Sequence, residues 1–283
     1  MTNAKFNFLN RTLAAGAVLA GAMLAGQSAV ACTLDNWSSS SGAVTAGDPE
    51  APPASSDPAI ARYSGFCGMQ VTSQGWVQDN NPGGINRIVA RFYVLNDLSA
   101  GQDAVIYAGY GDQAGGGERF TVTLDDSGDI TLVDSANPGT PVEQTGSAAG
   151  WSSVEIDWAE GDSISLSVNG QSETVQNIGS ASGSLSSVRL GNIDGATGIL
   201  NFDAYESRRS TAVGRLCRGD ADGSGTRDIS DLQDLFAEIQ SLGGTPAAGT
   251  PDVNEDGVVS LPDLQATFNF IQALQGDCGA FPG

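Results

Sequence analysis

The sequence predicts a mainly β chain, an antiparallel β-sandwich followed by a small α-helical domain. Two observations predict it. From about residue 62 to 209 the chain is a succession of short alternating apolar and polar runs broken by turn residues, with no helical period. Beyond residue 217 the texture changes: two twelve-residue loops rich in Asp and Gly, 32 residues apart, each lead into apolar residues at helical spacing.

Taken in order, residues 1–31 read as a secretory signal. Lys5 and Arg11 give the charged start, and Leu13 to Gly26 is the apolar run, too short for a membrane span. Ala29-Val30-Ala31 is a small-residue cleavage site, placing the mature chain outside the cell or at its surface. A lipoprotein signal with Cys32 as the lipidated residue is the alternative, and Ala29 fits poorly where such signals prefer a large aliphatic residue. Cleavage leaves an even set of cysteines, Cys32, Cys67, Cys217 and Cys278. Four cysteines allow three connectivities, and pairing Cys32 with Cys67 and Cys217 with Cys278 keeps each bridge within one domain. Each bridge would close a loop of roughly 35–60 residues, worth about 4 kcal/mol by chain entropy.

Residues 36–60 are rich in Ser, Ala, Pro and Gly, and Pro49 to Pro58 is unsuited to regular structure. Strands follow. Ile88, Ala90, Phe92 and Val94 alternate with Val89, Arg91, Tyr93 and Leu95, so both faces carry bulk, as in a central strand. Phe120, Val122 and Leu124 alternate with threonines, and Asp125-Asp126-Ser127-Gly128 turns the chain into Ile130–Val133. Val154, Ile156 and Trp158 alternate with Glu155 and Asp157. Ile164, Leu166 and Val168 alternate with serines and end at Asn169-Gly170, a hairpin signal. Residues 32–209 thus form the β domain, 210–216 a linker and 217–283 the second domain.

The full chain carries 12 basic and 33 acidic residues and no His. Without residues 1–31 the balance is ten against 33, a net charge of −23 with no lysine. That argues against nucleic acid and anionic membranes, whose binding draws on protein cations, and favours bound cations.

The two loops say which cation. Asp220, Asp222, Ser224, Asp228 and Asp231 place oxygen side chains at the first, third, fifth, ninth and twelfth positions; Asp252, Asn254, Asp256, Ser260 and Asp263 repeat the pattern. Thr226 and Val258 hold the seventh position, where a backbone carbonyl serves, and Gly225 and Gly257 the sixth, where the loop turns sharply. Calcium, a hard ion wanting six to eight oxygens, suits such a loop, so two calcium ions are expected. Leu232, Leu235, Phe236, Ile239 and Leu242 follow the first loop, and Leu264, Phe268, Ile271 and Leu274 the second, at helical spacing. In the first loop Arg227 stands where Val259 stands in the second; the expectation is that Val259 packs, Arg227 does not, and the second site is the tighter.

Paired calcium loops closing on Asp, each followed by Leu and one helix, resemble a type I dockerin over about 217–278. That resemblance implies a module that calcium folds and that docks onto a cohesin domain through a helix face. Ile229-Ser230 and Leu261-Pro262 hold the places the family uses to choose its cohesin, without its usual hydroxyl pair. The order of pieces in the β domain resembles the laminin-G-like, concanavalin-type jelly roll over about 32–209, carried by Trp151 leading into Val154–Trp158, the hairpin at Asn169-Gly170, and the closing Leu190-Gly191 and Phe202–Arg209. This resemblance implies a jelly roll that binds a glycan or an extracellular protein.

Glu155-Ile-Asp-Trp-Ala-Glu160 resembles the Glu-x-Asp-x-x-Glu signature of retaining glycosidases on that fold, so an alternative function is polysaccharide hydrolysis by Glu155, Asp157 and Glu160. Glu160 has the wrong strand parity to join the other two without a bulge, and the expected role of these acids is a solvent-facing one on an outer sheet. With no His, Ser-His-Asp and Cys-His catalysis are excluded. No catalytic residue is assigned, and the expected function is non-catalytic recognition.

Overall fold

The computed structural model describes residues 32–47, 60–177, 183–241 and 247–273. The expected signal (1–31), Leu242, Leu274 and Cys278 lie outside them, as does nearly all of the Pro49–Pro58 stretch. Twelve antiparallel strands and two helices are described: β1 (Ser39–Gly47), β2 (Gly68–Asp79), β3 (Arg87–Leu98), β4 (Asp103–Tyr110), β5 (Glu118–Asp125), β6 (Asp129–Asp134), β7 (Val142–Thr145), β8 (Trp151–Ala159), β9 (Ser163–Val168), β10 (Thr174–Asn177), β11 (Ser187–Asn192), β12 (Gly198–Arg208), α1 (Ile229–Ser241) and α2 (Leu261–Gln272). The mainly β expectation holds. The strand β1 was not foreseen, because its Ser- and Gly-rich sequence carries no alternation; it forms by pairing along β2.

The strands follow the order β10-β9-β8-β3-β12-β2-β11-β4-β5-β6-β7. The long β2 joins two layers: its first half pairs with β12 and its second half with β11. The crossing is built from glycine. Gly42, Gly75 and Gly191 lie where a Cβ would strike neighbouring backbone, and Gly42 and Gly191 have φ of 78° and 150°. The far edges approach each other, since the Gln144 side chain on β7 donates to Ser172 O (2.9 Å) and accepts from Val168 N (2.6 Å) on the β9–β10 hairpin. A jelly-roll-like sandwich, nearly closed, results.

Ile88, Ala90, Phe92 and Val94 of β3 face the interior with Val154, Ile156 and Trp158 of β8, in one apolar core shared with β2, β4–β6, β9, β11 and β12. The Trp158 indole donates to Asp134 at 2.9 Å, so its polar end is satisfied within the core. Burying such a side chain stabilises by roughly 1.5–3 kcal/mol each. β3 is central, between β12 and β8. Its other face is covered too: Tyr93 stacks on Tyr63 with ring centroids 3.8 Å apart, and Trp151 meets Tyr63 edge-on at 5.8 Å. The hairpin expected at Asn169-Gly170 joins β9 to β10, with φ of 54° and 70°. Cys32 and Cys67 are bonded, as expected; Cys217 is also disulfide-bonded.

The segment read as a linker is fastened rather than free. Val213 N and Gly214 N donate to Glu155 (3.0 and 2.6 Å), and Leu216 N to the Tyr93 hydroxyl (2.9 Å). Glu155 is therefore not the solvent-facing acid expected of it: it receives the chain that leaves β12. Asp157 is ion-paired with Arg87. Strand β8 runs in unbroken register from Trp151 to Ala159, and Glu160 follows in the turn, its N–H bonded to Asn86 O. No bulge brings Glu160 to the face of the other two.

Candidate functional site

The two Asp-rich loops have the same local construction. Each turns at its sixth residue, Gly225 and Gly257, with φ of 87° and 90°. In each the first carboxylate accepts the N–H of that glycine, Asp220 at 2.9 Å and Asp252 at 2.7 Å. In each the twelfth residue is a fully buried Asp in the first turn of the helix, reaching back to the loop amides. Asp231 accepts from Asp222 N and Asp228 N (3.1 and 2.6 Å), and Asp263 from Val253 N, Asn254 N and Ser260 N (2.8, 3.0 and 2.9 Å). Short Asp therefore serves where a longer Glu would overreach. The stems of the loops are tied together by Gly219 N to Thr250 O and Gly249 N to Ala221 O. Ala221, Leu235 and Ala247 form the small core between them, with Ile239, Val259 and Leu264 at its edge.

In the first loop, oxygens of Asp220, Asp222 and Asp231 lie within 4.8 Å of one another. Asp220 is 7% exposed and its Oδ1 is buried with no hydrogen-bond partner. A buried carboxylate oxygen left over in a cluster of three acids fits a cation, which would supply the missing partner. Burial pushes Asp220 and Asp231 above the usual carboxylate range. Asp228 stands outside the cluster and accepts from Ser230 N at the start of α1 (2.7 Å), while Ser224 and Thr226 bond to each other.

In the second loop, burial, with Asp263 and Asp256 beside it, raises Asp252 to about 7. The Asn254 amide donates to Asp256 (2.8 Å), Val258 is exposed, and Ser260 caps α2 with its hydroxyl on Asp263. The expected packing contrast is absent. Arg227 is buried, its guanidinium 4.6 Å from the Phe270 ring centroid, and Val259 is partly buried.

Sequence reasoning missed how the second loop is held. Glu255, its fourth residue, has φ of 64° and pairs with Arg215 and Arg218 (2.5 and 3.4 Å). It also accepts the Tyr63 hydroxyl (3.0 Å), while its carbonyl accepts Trp151 N (2.8 Å). Gly257 packs against Leu95. Arg62 adds a buried pair with Glu238 of α1 at 2.6 Å. The available signal was Arg215 and Arg218 flanking Cys217 in a chain with few basic residues.

Only part of each helix stripe is buried. Leu235 is fully buried, but Phe236 and Phe268 are 46% and 41% exposed, and Ile229 and Leu261 more so. Together with Leu232 and Leu264 they line a groove between α1 and α2 whose two walls are related by the 32-residue repeat.

No protein-family profile matches the chain, and no curated protein does. Among solved structures, the cellulose induced protein Cip1 is similar over 63% of this chain and 93% of its own, with 12% identity and a TM-score of 0.45. The receptor binding domain of botulinum neurotoxin type G is similar over 59% of this chain and 44% of its own (12% identity, TM-score 0.41). The serotype D ligand binding domain, solved with N-acetylneuraminic acid, is similar over 72% and 49% (12% identity, TM-score 0.40). The chain spans less than half the length of these toxin domains. No helix among the described residues is long and apolar enough to cross a membrane.

Proposed function

We propose that the chain is an exported, calcium-binding, non-catalytic recognition protein. Its β-sandwich binds a glycan or an extracellular protein, and its dockerin-like tail, residues 217–283, binds two calcium ions and docks onto a protein partner. The observation that carries the calcium reading is the cluster of Asp220, Asp222 and Asp231 with its one unpartnered, buried oxygen. Asp252, Asn254, Asp256 and Asp263 would hold the second ion, the Thr226 and Val258 carbonyls and Ser224 would complete the direct sets, and the ninth-position Asp228 and Ser260, engaged at the helix starts, would reach the ions through water. Bound calcium supplies charge neutralisation and no chemistry. It keeps Asp252 ionised and fixes both loops, so that binding adds to stability by linkage.

The groove between α1 and α2 supports docking. It is apolar, duplicated and set in a strongly acidic chain, which fits a folded, cohesin-like domain with an apolar ridge and a basic rim. A hydrolase reading is not supported, because Glu155 is held by the Val213 and Gly214 amides and Asp157 by Arg87. Two measurements on purified full-length protein test the proposal. Calcium should raise the thermal midpoint and chelator lower it, and a neutral polysaccharide should be bound without release of reducing sugar. Calcium-independent melting would remove the calcium reading. Sugar release abolished by Asp157→Asn, with folding intact, would replace recognition by catalysis.

A further inference from the structure

The β-sandwich has a cleft that none of the structural features described so far uses. It lies between residues 33–37 and the segment of β12 around Ala204, has a volume of about 400 Å³, and is open to solvent. Its size falls within the range of roughly 300–1,000 Å³ typical of small-ligand pockets. One wall is aromatic: Trp37 and Tyr205 lie with ring centroids 5.0 Å apart at 47°. The rim is polar, with Asp79, Asn81 and Asn36.

The sequence builds this cleft with two devices. The Cys32–Cys67 bridge ties the segment carrying Trp37 to the start of β2. On β12 the register against β3 shifts between Asp203 and Glu206, and Ala204 adopts φ of 50°. That bulge breaks the alternation, so Tyr205, three residues after the core residue Phe202, also packs against the core. The bulge is clamped: the Asp203 carboxylate accepts N–H groups of Tyr63, Ser64 and Ala204 at 2.6, 2.8 and 2.6 Å. Left-handed backbone at a non-glycine residue, held by three charge-assisted bonds beside an open cleft, is the kind of strain found where a site is shaped.

The polar groups have spare capacity. Asp79 accepts the Asn81 N–H at 2.8 Å and forms no ion pair among the described residues. Asn81 is exposed and lines the cleft; its backbone carbonyl accepts from Arg209 at 3.3 Å, and its side-chain amide makes no hydrogen bond among the described residues. An aromatic wall suits the apolar face of a pyranose ring. A carboxylate and two amides suit its hydroxyls, which donate and accept. Arg209 brings one positive charge to the same rim at the Asn81 carbonyl; against it stands Asp79, and in a chain of net charge −21 the balance disfavours phosphate, sulfate or uronate.

We infer that this cleft is a subsite for one neutral sugar residue of a glycan, with Trp37 and Tyr205 as the stacking wall and Asp79 and Asn81 as hydroxyl acceptor and donor. The inference rests on the proposed glycan reading of the β-sandwich and adds its location and its preference for neutral sugars.

The test is fluorescence and calorimetric titration of the full-length chain with cello-, xylo-, manno- and laminari-hexaose, and with hexagalacturonate. Trp151 and Trp158 are buried and Trp76 lies under Arg189, so a ligand in the cleft should alter Trp37 selectively and shield it from acrylamide. At least one neutral oligosaccharide should bind. Asp79→Ala and Asn81→Ala, both at the rim, should each weaken it by about tenfold with unchanged melting. Trp37→Phe should remove the fluorescence response, and Trp76→Phe should keep it. If a neutral oligosaccharide binds equally well to Asp79→Ala and Asn81→Ala, the subsite is elsewhere and the glycan reading survives. If hexagalacturonate binds better than the neutral sugars, the assigned chemistry is wrong. If none of the five binds at millimolar concentration, both the subsite and the glycan reading fall.

Discussion

The two Asp-rich loops share a sequence pattern and differ in what surrounds them. The first gathers Asp220, Asp222 and Asp231 into one cluster, and its middle residues, Gly223 to Thr226, are exposed. The second has Asn254 where the first has Asp222, and it is seated on the β-sandwich by Glu255, Gly257 and the Trp151 amide. The ligand positions of a loop identify the ion it can hold, while the positions between ligands decide what else it does. From the fourth position on, Gly223-Ser224-Gly225 in the first loop gives way to Glu255-Asp256-Gly257 in the second: Gly223 touches little, whereas Glu255 binds two arginines and a tyrosine.

Four substitutions, two of them with a control beside them, probe that contrast and the β-sandwich on which the second loop is seated, ordered by expected effect. Asp263→Ala should be the most damaging, because it strands the buried amides of Val253, Asn254 and Ser260; a loss of about 4 kcal/mol is expected in urea unfolding with calcium present. It should also change the near-ultraviolet dichroism of Tyr63, Tyr93 and Trp151, which Asp231→Ala should leave unaltered. A first-loop variant that perturbs those aromatics as strongly would erase the distinction between the loops.

Asp203 sets the pH dependence of the β-sandwich. Burial outweighs the three N–H bonds it accepts and raises it from 3.8 to about 6. An acid with a raised folded pKa binds its proton more tightly in the folded chain. Its contribution is full below about 4 and is lost as pH rises through 6, about 3 kcal/mol in all. Asp203→Asn should flatten stability between pH 4 and 7 in calcium-saturated protein; an unchanged slope would show that the carboxyl is ionised throughout.

Glu255→Gln should cost about 2 kcal/mol, since it removes the charge facing Arg215 and Arg218 but keeps an acceptor for Tyr63. Calcium binding by the first loop should persist. If both sites weaken together, the loops act as one unit. Phe236→Ala should cost least, under about 1 kcal/mol, because the ring faces solvent in the groove, whereas the neighbouring Leu235→Ala should cost about 3 kcal/mol. Thermal melts of the pair check this.

Much of this architecture is legible in the sequence where local pattern and tertiary role coincide. The alternation from Ile88 to Leu95 marked a central strand because both faces are buried, one by the core and one by Tyr63 and Trp151. Asn169-Gly170 marked a hairpin because its backbone angles need those residues. Three features were hidden. The strand β1 has almost no apolar signal and is held by backbone pairing with β2. Glu155 looked like a surface acid because nothing local shows that residues 213–214 return to it. Arg227 looked like a packing defect, yet it is buried with its guanidinium over the Phe270 ring, as a long amphipathic side chain can be. The ligand positions were readable at fixed spacing, but Asp228 was not seen to cap α1 instead of joining the carboxylate cluster.

The most direct test of the central claim is isothermal titration of calcium into chelator-stripped full-length protein, with Asp231→Ala and Asp263→Ala beside it. Two ions should bind, with affinities no weaker than the roughly 10⁻⁴–10⁻³ M of many extracellular modules. Asp231→Ala should remove one binding event and Asp263→Ala the other. A wild-type chain that takes up no calcium at millimolar concentration, or binds it equally well in both variants, would contradict the account.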